Sequence, residues 1–245
     1  MEQLEGRTRF TSLLVREICA TWTLEAGLAR TNPRDNESKE RPKPPMLPPS
    51  LILNAIWLVR RATIRCNGEI PCSLLAEACI FIASKITEHR LRLDDICKSG
   101  RLVEARRRGK VTSSLTDRRR AVLHIEMRIL AMCGFVVKQS DESFPHRYLL
   151  VLSEIVLPLE TQAQVLQSAW AYLNDAAMLD MESERPLDVA CAALALSAQD
   201  ESTTLPSEPF PWFEAVGANK ESMERIAYQI YEFINVWQAP TWMDT

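Results

Sequence analysis

The segment Leu75-Ala-Glu-Ala-Cys-Ile-Phe-Ile-Ala-Ser-Lys85 is apolar around most of a helical circumference. At about 100° per residue, the polar side chains of its helix fall in one narrow arc that holds Glu77, Ser84, Lys85 and Glu88. A helix that is apolar on nearly every side lies at the centre of a bundle. The segment therefore predicts a helical core in which only this arc faces outward.

A second segment, Leu187-Asp-Val-Ala-Cys-Ala-Ala-Leu-Ala-Leu-Ser197, repeats the first at an offset of 112 residues, with four of eleven positions identical. Each segment is the third helix of a similar predicted series, which indicates a duplicated five-helix unit. The repeat is imperfect at its end, where Ser197 takes the place of Lys85.

Helical periodicity extends along most of the chain, and proline, serine and glycine mark many of the helix ends. Almost no stretch alternates with a period of two, so the predicted fold class is all-α. Helices are predicted over 9–29, 48–66, 72–89, a short stretch from Leu93, 117–133, 146–156, 160–179, 186–199, 211–216 and 219–237.

The proline distribution predicts how these helices are grouped. Residues 31–50 hold six of the fourteen prolines, which predicts a linker that cannot be helical. We predict an N-terminal helix and linker over 1–46, a first repeat over 47–140, a second over 141–237 and a tail over 238–245, with the repeats divided near 138–143.

Composition excludes several functional classes. Only 7 of 245 residues are glycine, which argues against glycine-rich phosphate loops. The seven cysteines form no CxxC pair and read as reduced core residues. The set Cys66, Cys72, His89 and Cys97 has no usual zinc-ligand spacing, so we expect no metal or cofactor. The three histidines lie in separate segments without a nucleophile pattern, so we expect no enzyme activity.

Charge is spread unevenly along the sequence. The net charge is −3, yet residues 101–120 hold eight cations and two acids. We predict that this segment is an exposed loop. Its residues Arg106, Arg107, Arg108 and Lys110 then either contact a phosphorylated segment or RNA, or remain solvated.

One carboxylate falls on an apolar face. On the helix predicted over 117–133, Glu126 lies near the middle of the apolar arc. A buried carboxylate is costly without a partner. Periodicity leaves two interpretations open, an internal salt bridge or contact with a second protein.

Several motifs match one family in the correct order. Leu75 to Glu88 resembles the third helix of a cyclin box, and Ile125 to Phe135 resembles the fifth. The start of the second half, Phe144-Pro-His146-Arg-Tyr148-Leu, resembles that of transcription-type cyclins. Similarity to L-type cyclins in particular lies in Gln167-Ser-Ala-Trp170-Ala-Tyr172-Leu-Asn174-Asp175 and Pro211-Trp-Phe213. The resemblance covers about residues 47–237.

The resemblance implies tandem cyclin boxes and a regulatory subunit that forms a heterodimer with a cyclin-dependent protein kinase and activates it allosterically. In that family a lysine of the third helix and a glutamate of the fifth reach the kinase helix that carries the active-site glutamate. The implied kinase-binding residues here are Lys85, Glu126, Ile86, Leu130, Phe135 and Glu88.

Differences from the usual cyclin motifs indicate which branch of the family the sequence resembles most. Thr87 replaces the first residue of the usual acidic pair, and the docking motif Met-Arg-Ala-Ile-Leu of cell-cycle cyclins is absent. These differences favour the transcription or splicing branch. They imply a nuclear protein acting in RNA polymerase II phosphorylation or splicing, with or without further transcription or splicing subunits and without a membrane partner.

A second function class uses the same duplicated unit. General transcription factors of the IIB type resemble it in architecture and bind nucleic acid or polymerase. The basic segment 101–120 would supply phosphate contacts in that case. The overall negative charge argues against this alternative.

Overall fold

The structure, a computed structural model, describes residues 2–29, 47–111, 113–137 and 143–236. Within these ranges every regular element is helical, which confirms the all-α prediction. The helices are α1 (Glu2–Ala29), α2 (Pro49–Arg65), α3 (Cys72–Ile86), α4 (Leu93–Arg108), α5 (Leu115–Met132), α6 (Pro145–Val156), α7 (Gln162–Ala176), α8 (Pro186–Asp200), α9 (Trp212–Ala215) and α10 (Lys220–Val236).

The chain divides into two compact units, one within residues 1–138 and one within residues 139–238. In the first, α3 packs against α1, α2, α4 and α5. Nine of its residues between Leu75 and Ser84 are buried, as expected for a central helix. In the second unit α8 packs against α6, α7 and α10 and is similarly buried. The two segments that repeat in sequence thus form the central helices of their units.

The N-terminal helix belongs to the core of the first unit. The sequence places residues 1–46 outside the first repeat, but α1 packs against α2, α3 and α4. Its side chains Phe10, Leu14, Val15 and Ile18 are buried. The first unit therefore reaches five helices only when α1 is counted. Residues 31–46 of the linker predicted over 31–50, residues 138–142 of the division predicted near 138–143 and the predicted tail over 238–245 lie outside the described residues. The last two residues of the predicted non-helical linker, Pro49 and Ser50, begin α2.

The predicted basic loop is largely a helix, so that prediction is wrong. The helix from Leu93 is not short, because α4 continues to Arg108. Asp94 and Asp95 occupy its first turn and three arginines its last, which complements the helix macrodipole at both ends. Gly109 ends the helix in the left-handed conformation, with φ 68°. Three of the cations that suggest a solvated loop, Arg106, Arg107 and Arg108, therefore lie at the end of a helix where positive charge is favourable.

Local sequence also explains where α5 starts. The Ser114 hydroxyl accepts a hydrogen bond from the backbone N–H of Asp117 at 3.2 Å, which caps the helix. Observed ends of α5 lie within two residues of the predicted 117–133, whereas α3 ends at Ile86 rather than at 89.

No helix among the described residues is both long enough and apolar enough to cross a membrane.

Candidate functional site

Two charged residues far apart in sequence meet on the surface of the first unit. Lys85 lies in the last turn of α3 and Glu126 in the middle of α5. The Lys85 Nζ atom donates to Glu126 Oε1 at 2.5 Å and also lies 3.9 Å from the centre of the Phe81 ring. The side chain of Lys85 is 52% exposed and that of Glu126 only 9%. The internal salt bridge is therefore present, and it lies at a surface.

The ion pair does not use every donor of Lys85. An ammonium group has three N–H donors, so one ion pair leaves donors that solvent or a partner can use. The Glu126 side chain is nearly buried, whereas that of Lys85 is half-exposed. The two interpretations of Glu126 are thus compatible in one structure.

Apolar side chains are also exposed just beyond the end of α5. The N–H of Phe135 donates to Leu130 O at 3.0 Å, and the N–H of Gly134 donates to Ala131 O at 3.1 Å. This paired arrangement is a Schellman motif, and both Gly134 and Phe135 have positive φ. The turn leaves Phe135 71% exposed and Val136 54% exposed. A large aromatic ring held in solvent by a defined turn is typical of a binding surface.

The remaining predicted contact residues are also accessible. Ile86 and Leu130 are half-buried, and Glu88 is exposed in the turn after α3. Residues at the end of α3 and at the end of α5 therefore contribute to the candidate surface.

The polar arc of α3 does not face outward as a whole. Lys85 and Glu88 are exposed, whereas Glu77 is fully buried and Ser84 is 1% exposed. The outward placement expected for Glu77 and Ser84 is wrong, because α4 and α5 pack against α3.

Glu77 belongs to a buried ionic network that the sequence analysis did not identify. Arg118 Nε donates to the two carboxylate oxygens of Glu77 at 2.8 and 3.0 Å. Its Nη1 donates to Glu104 Oε2, so a single guanidinium bridges α3, α4 and α5. Burial raises the pKa of the Glu77 carboxyl to about 7, although Arg118 opposes that shift. The only sequence signal was a carboxylate on an otherwise apolar helix.

The basic segment directs much of its charge into the fold. Arg107 donates to both carboxylate oxygens of Glu17 at 2.8 and 2.6 Å, and Arg106 donates to the Thr21 hydroxyl at 3.0 Å. Both contacts join α4 to α1. Arg108 lies 3.9 Å from Glu104, and Lys110 is exposed. The excess of cations in the linear segment therefore overstates the free positive charge of this surface.

Residues of the L-type resemblance meet in the second unit. His146 is buried, and its Nε2 atom lies 3.2 Å from the Oδ1 atom of Asn174. Its ring packs edge-on against Trp170, with 4.7 Å between the ring centroids. Burial lowers the pKa of His146, which favours a neutral ring. These motif residues join α6 to α7 and have a structural role.

Metal ligation has no geometric basis among the described residues. No group of three or more histidine, cysteine, aspartate or glutamate side chains in that part of the chain is arranged to hold an ion. The described cysteines, including Cys66, Cys72 and Cys97, are free thiols.

Comparison with known proteins identifies the family. No protein-family model matches the chain. The chain is 31% identical over 187 residues to the cyclin L homolog cyl-1 of Caenorhabditis elegans, which covers 68% of the chain and 38% of that relative. It is 32% identical over 175 residues to cyclin-L1 of Danio rerio, covering 68% of the chain and 33% of the relative.

The chain belongs to the cyclin family. Within it, this cyclin is similar to the L-type members, including cyclin-L2 of Mus musculus at 30% identity over 162 residues, or 63% of the chain and 30% of the relative. It spans about a third of the length of the curated relatives that it matches.

A solved structure supports the fold. The crystal structure of the yeast RNA Pol II CTD kinase CTDK-1 complex contains a chain that matches this cyclin with a TM-score of 0.59 at 16% identity. The match covers 96% of this cyclin and 73% of that chain. This cyclin therefore shares its helical architecture with a chain of known structure.

Proposed function

We propose that this cyclin is a regulatory subunit that binds a cyclin-dependent protein kinase and activates it, in transcription or RNA processing in the nucleus. The observation that carries the proposal is the Lys85–Glu126 pair at the surface of the first unit, which also exposes Phe135. Two comparisons support it, namely the similarity to L-type cyclins and the match in fold to a chain of a kinase complex. We expect no catalytic group, cofactor or metal in this chain.

The proposed mechanism is a shift in the conformational population of the kinase. An isolated kinase populates arrangements in which its active-site Lys–Glu ion pair is broken. A protein that binds only the assembled arrangement of the kinase increases the population of that arrangement. The size of the shift is set by the difference between the protein's affinities for the two kinase states. The rigid pair on α3 and α5 suits this role, because its polar atoms are already oriented before the kinase docks.

The first unit rather than the second is the proposed kinase-binding unit. Ser197 occupies in α8 the position that Lys85 occupies in α3. Its hydroxyl is fully buried and donates to Val165 O at 2.6 Å. The second unit therefore has no exposed ammonium at the equivalent place.

Substitution of the pair tests the proposal. Truncating one member of a desolvated interfacial charge pair costs about 2–5 kcal/mol, which is roughly a 30-fold to several-thousand-fold loss of affinity. We expect Lys85→Ala and Glu126→Ala each to fold, yet to lose kinase capture and stimulation. Arg128→Ala is the matched control, because it removes an exposed charge from α5 whose 3.4 Å pair with Glu69 is also exposed.

The measurements are capture of the co-expressed kinase, phosphotransfer by the captured complex and a thermal melt of each variant. Normal kinase capture by both Lys85→Ala and Glu126→Ala would overturn the interface assignment. Lost capture with a collapsed melt would assign the pair to folding alone.

The nucleic-acid alternative receives less support from the charge distribution. Arg107 is paired with Glu17, and Arg118 is buried between two carboxylates. Arg106, Arg108 and Lys110 are the exposed cations of the predicted phosphate contact. A mobility shift of labelled RNA that disappears when these three are replaced by glutamine would favour that alternative.

A further inference from the structure

The second unit is strongly acidic, which the net charge of the whole chain conceals. Residues 143–236 contain fourteen carboxylates and four cations, whereas residues 1–138 contain fifteen carboxylates and twenty-five cations. Three of the four cations of the second unit lie beside carboxylates: Arg225 binds Glu184, and Arg185 and Lys220 lie 3.8 and 3.9 Å from acidic side chains. The unit therefore presents an excess of negative charge that its own residues do not neutralise.

The outward face of α10 combines this charge with exposed aromatic rings. The opposite face of the helix is buried through Met223, Ile226, Ile230 and Phe233. At about 100° per residue, the exposed face is a single stripe. Two tyrosines and three carboxylates lie along it, namely Glu221, Glu224, Tyr228, Tyr231 and Glu232, and the cations Lys220 and Arg225 lie at its edges. Lys220 is 3.9 Å from Glu224, and Arg225 pairs with Glu184 rather than with the stripe. Tyr228 is 65% exposed and Tyr231 is 59% exposed, which is unusual for tyrosines of an amphipathic helix.

The neighbouring helix ends extend the stripe. The hydroxyl of Tyr172, on α7, donates to the Asp200 carboxylate at the end of α8. The pKa of Tyr172 is raised to about 12 by burial and, after that, by Asp200, Asp175 and Tyr231. Because α10 packs against both α7 and α8, Asp200 adds a carboxylate on a neighbouring element. We call Glu221, Glu224, Tyr228, Tyr231, Glu232 and Asp200 the tyrosine–acid face.

We propose that the tyrosine–acid face binds an extended, arginine-rich segment of a partner protein. A guanidinium stacks on an aromatic ring and pairs with carboxylates in the same plane, whereas an ammonium is a compact and strongly hydrated charge. Two neighbouring rings with carboxylates on either side match the first chemistry. The stripe from Glu221 to Glu232 is about 16 Å long, which corresponds to roughly five residues of extended peptide. This surface lies in the second unit, so the inference is independent of the proposed kinase contact at Lys85.

Fluorescence anisotropy of a labelled nona-arginine peptide on the full chain tests the proposal. We expect saturable binding that weakens as salt rises to about 0.15 M, because exposed pairs are screened. Tyr228→Ala with Tyr231→Ala removes two cation–π contacts and weakens binding roughly 5- to 30-fold. Tyr228→Phe with Tyr231→Phe retains the rings and should restore the wild-type affinity.

Matched charge removal distinguishes a docking face from general attraction to an acidic unit. Replacing Glu221, Glu224 and Glu232 by glutamine should weaken binding strongly. The control replaces three exposed carboxylates of other elements by glutamine, at Glu154, Glu160 and Glu214. Measured at about 0.15 M salt, it should leave the affinity within about threefold of wild type, since charges more than about 8 Å apart are then largely screened.

Three results would overturn the proposal. The first is absence of binding at low salt. The second is an equal loss in the acidic-face variant and its control. The third is a nona-lysine peptide that binds as tightly as nona-arginine and is as sensitive to loss of the tyrosines, because arginine stacking would then not be the source of recognition.

Discussion

Replacing Arg118 by methionine should destabilise the first unit severely, although the residue lies outside the proposed kinase contact. Arg118 is 2% exposed and binds Glu77, which is fully buried, and Glu104, whose side chain is 5% exposed. Methionine retains most of the aliphatic volume and removes the charge. Two buried carboxylates then lose the cation that they share, and the side-chain bridge between α3, α4 and α5 is removed.

The expected cost follows from burial. Breaking a buried ion pair by removing one partner costs about 3–5 kcal/mol, because the remaining charge stays buried. Arg119 provides a matched control on the same helix. Its Nε atom lies 2.9 Å from Asp94 Oδ1, but the two side chains are 49% and 44% exposed. Arg119→Met should therefore cost at most about 1 kcal/mol.

Urea unfolding followed by circular dichroism at pH 8 measures both costs. A second measurement at pH 5.5 should show a smaller loss for Arg118→Met, because the two carboxylates can then be neutralised by protonation. Converting Glu77, Glu104 and Arg118 together to apolar residues of similar size should recover most of the stability. The reasoning is refuted if Arg118→Met and Arg119→Met cost the same, or if the loss is unchanged between the two pH values.

Three further predictions follow from the same unit. Burial raises the pKa of Glu77 in the folded chain to about 7, above its ordinary value of about 4.5, so the folded state binds more protons in this window and stability should fall as pH rises from about 4.5 to 7. The slope is at most ~1.4 kcal/mol per pH unit, and Glu77→Gln should remove this component from urea titrations across the window. A Cβ atom at Gly100 would lie 1.8 Å from Glu77 Oε1, so Gly100→Ala should cost about 1–3 kcal/mol in thermal melts and be largely relieved in a Glu77→Ala background. Lys85→Ala should destabilise the chain by about 1–2 kcal/mol, more than Glu126→Ala, because it leaves a nearly buried carboxylate rather than a half-exposed ammonium, and equal melting temperatures would contradict this.

Much of the fold and part of the site could be predicted from local sequence. Proline and glycine positions placed most helix ends within a few residues, because they act through the backbone of their own turn. The apolar segments ending at Lys85 and Ser197 identified the central helices, since burial on every side leaves a direct compositional trace. The cyclin motifs identified Lys85 and Glu126 as one surface, and the structure places them in contact.

Tertiary structure alone decided which charges are free. Ion pairs form between residues that the fold brings together, such as Glu17 with Arg107 and Glu77 with Arg118, at separations of 90 and 41 residues. A count of charges along a short stretch of sequence does not include partners that are distant in sequence. For this reason the basic segment was predicted to be an exposed loop and Glu77 to face solvent. The inclusion of α1 in the first unit was also decided by tertiary structure. The apolar face of α1 is buried by helices that follow much later in the chain, so local sequence does not show where α1 packs.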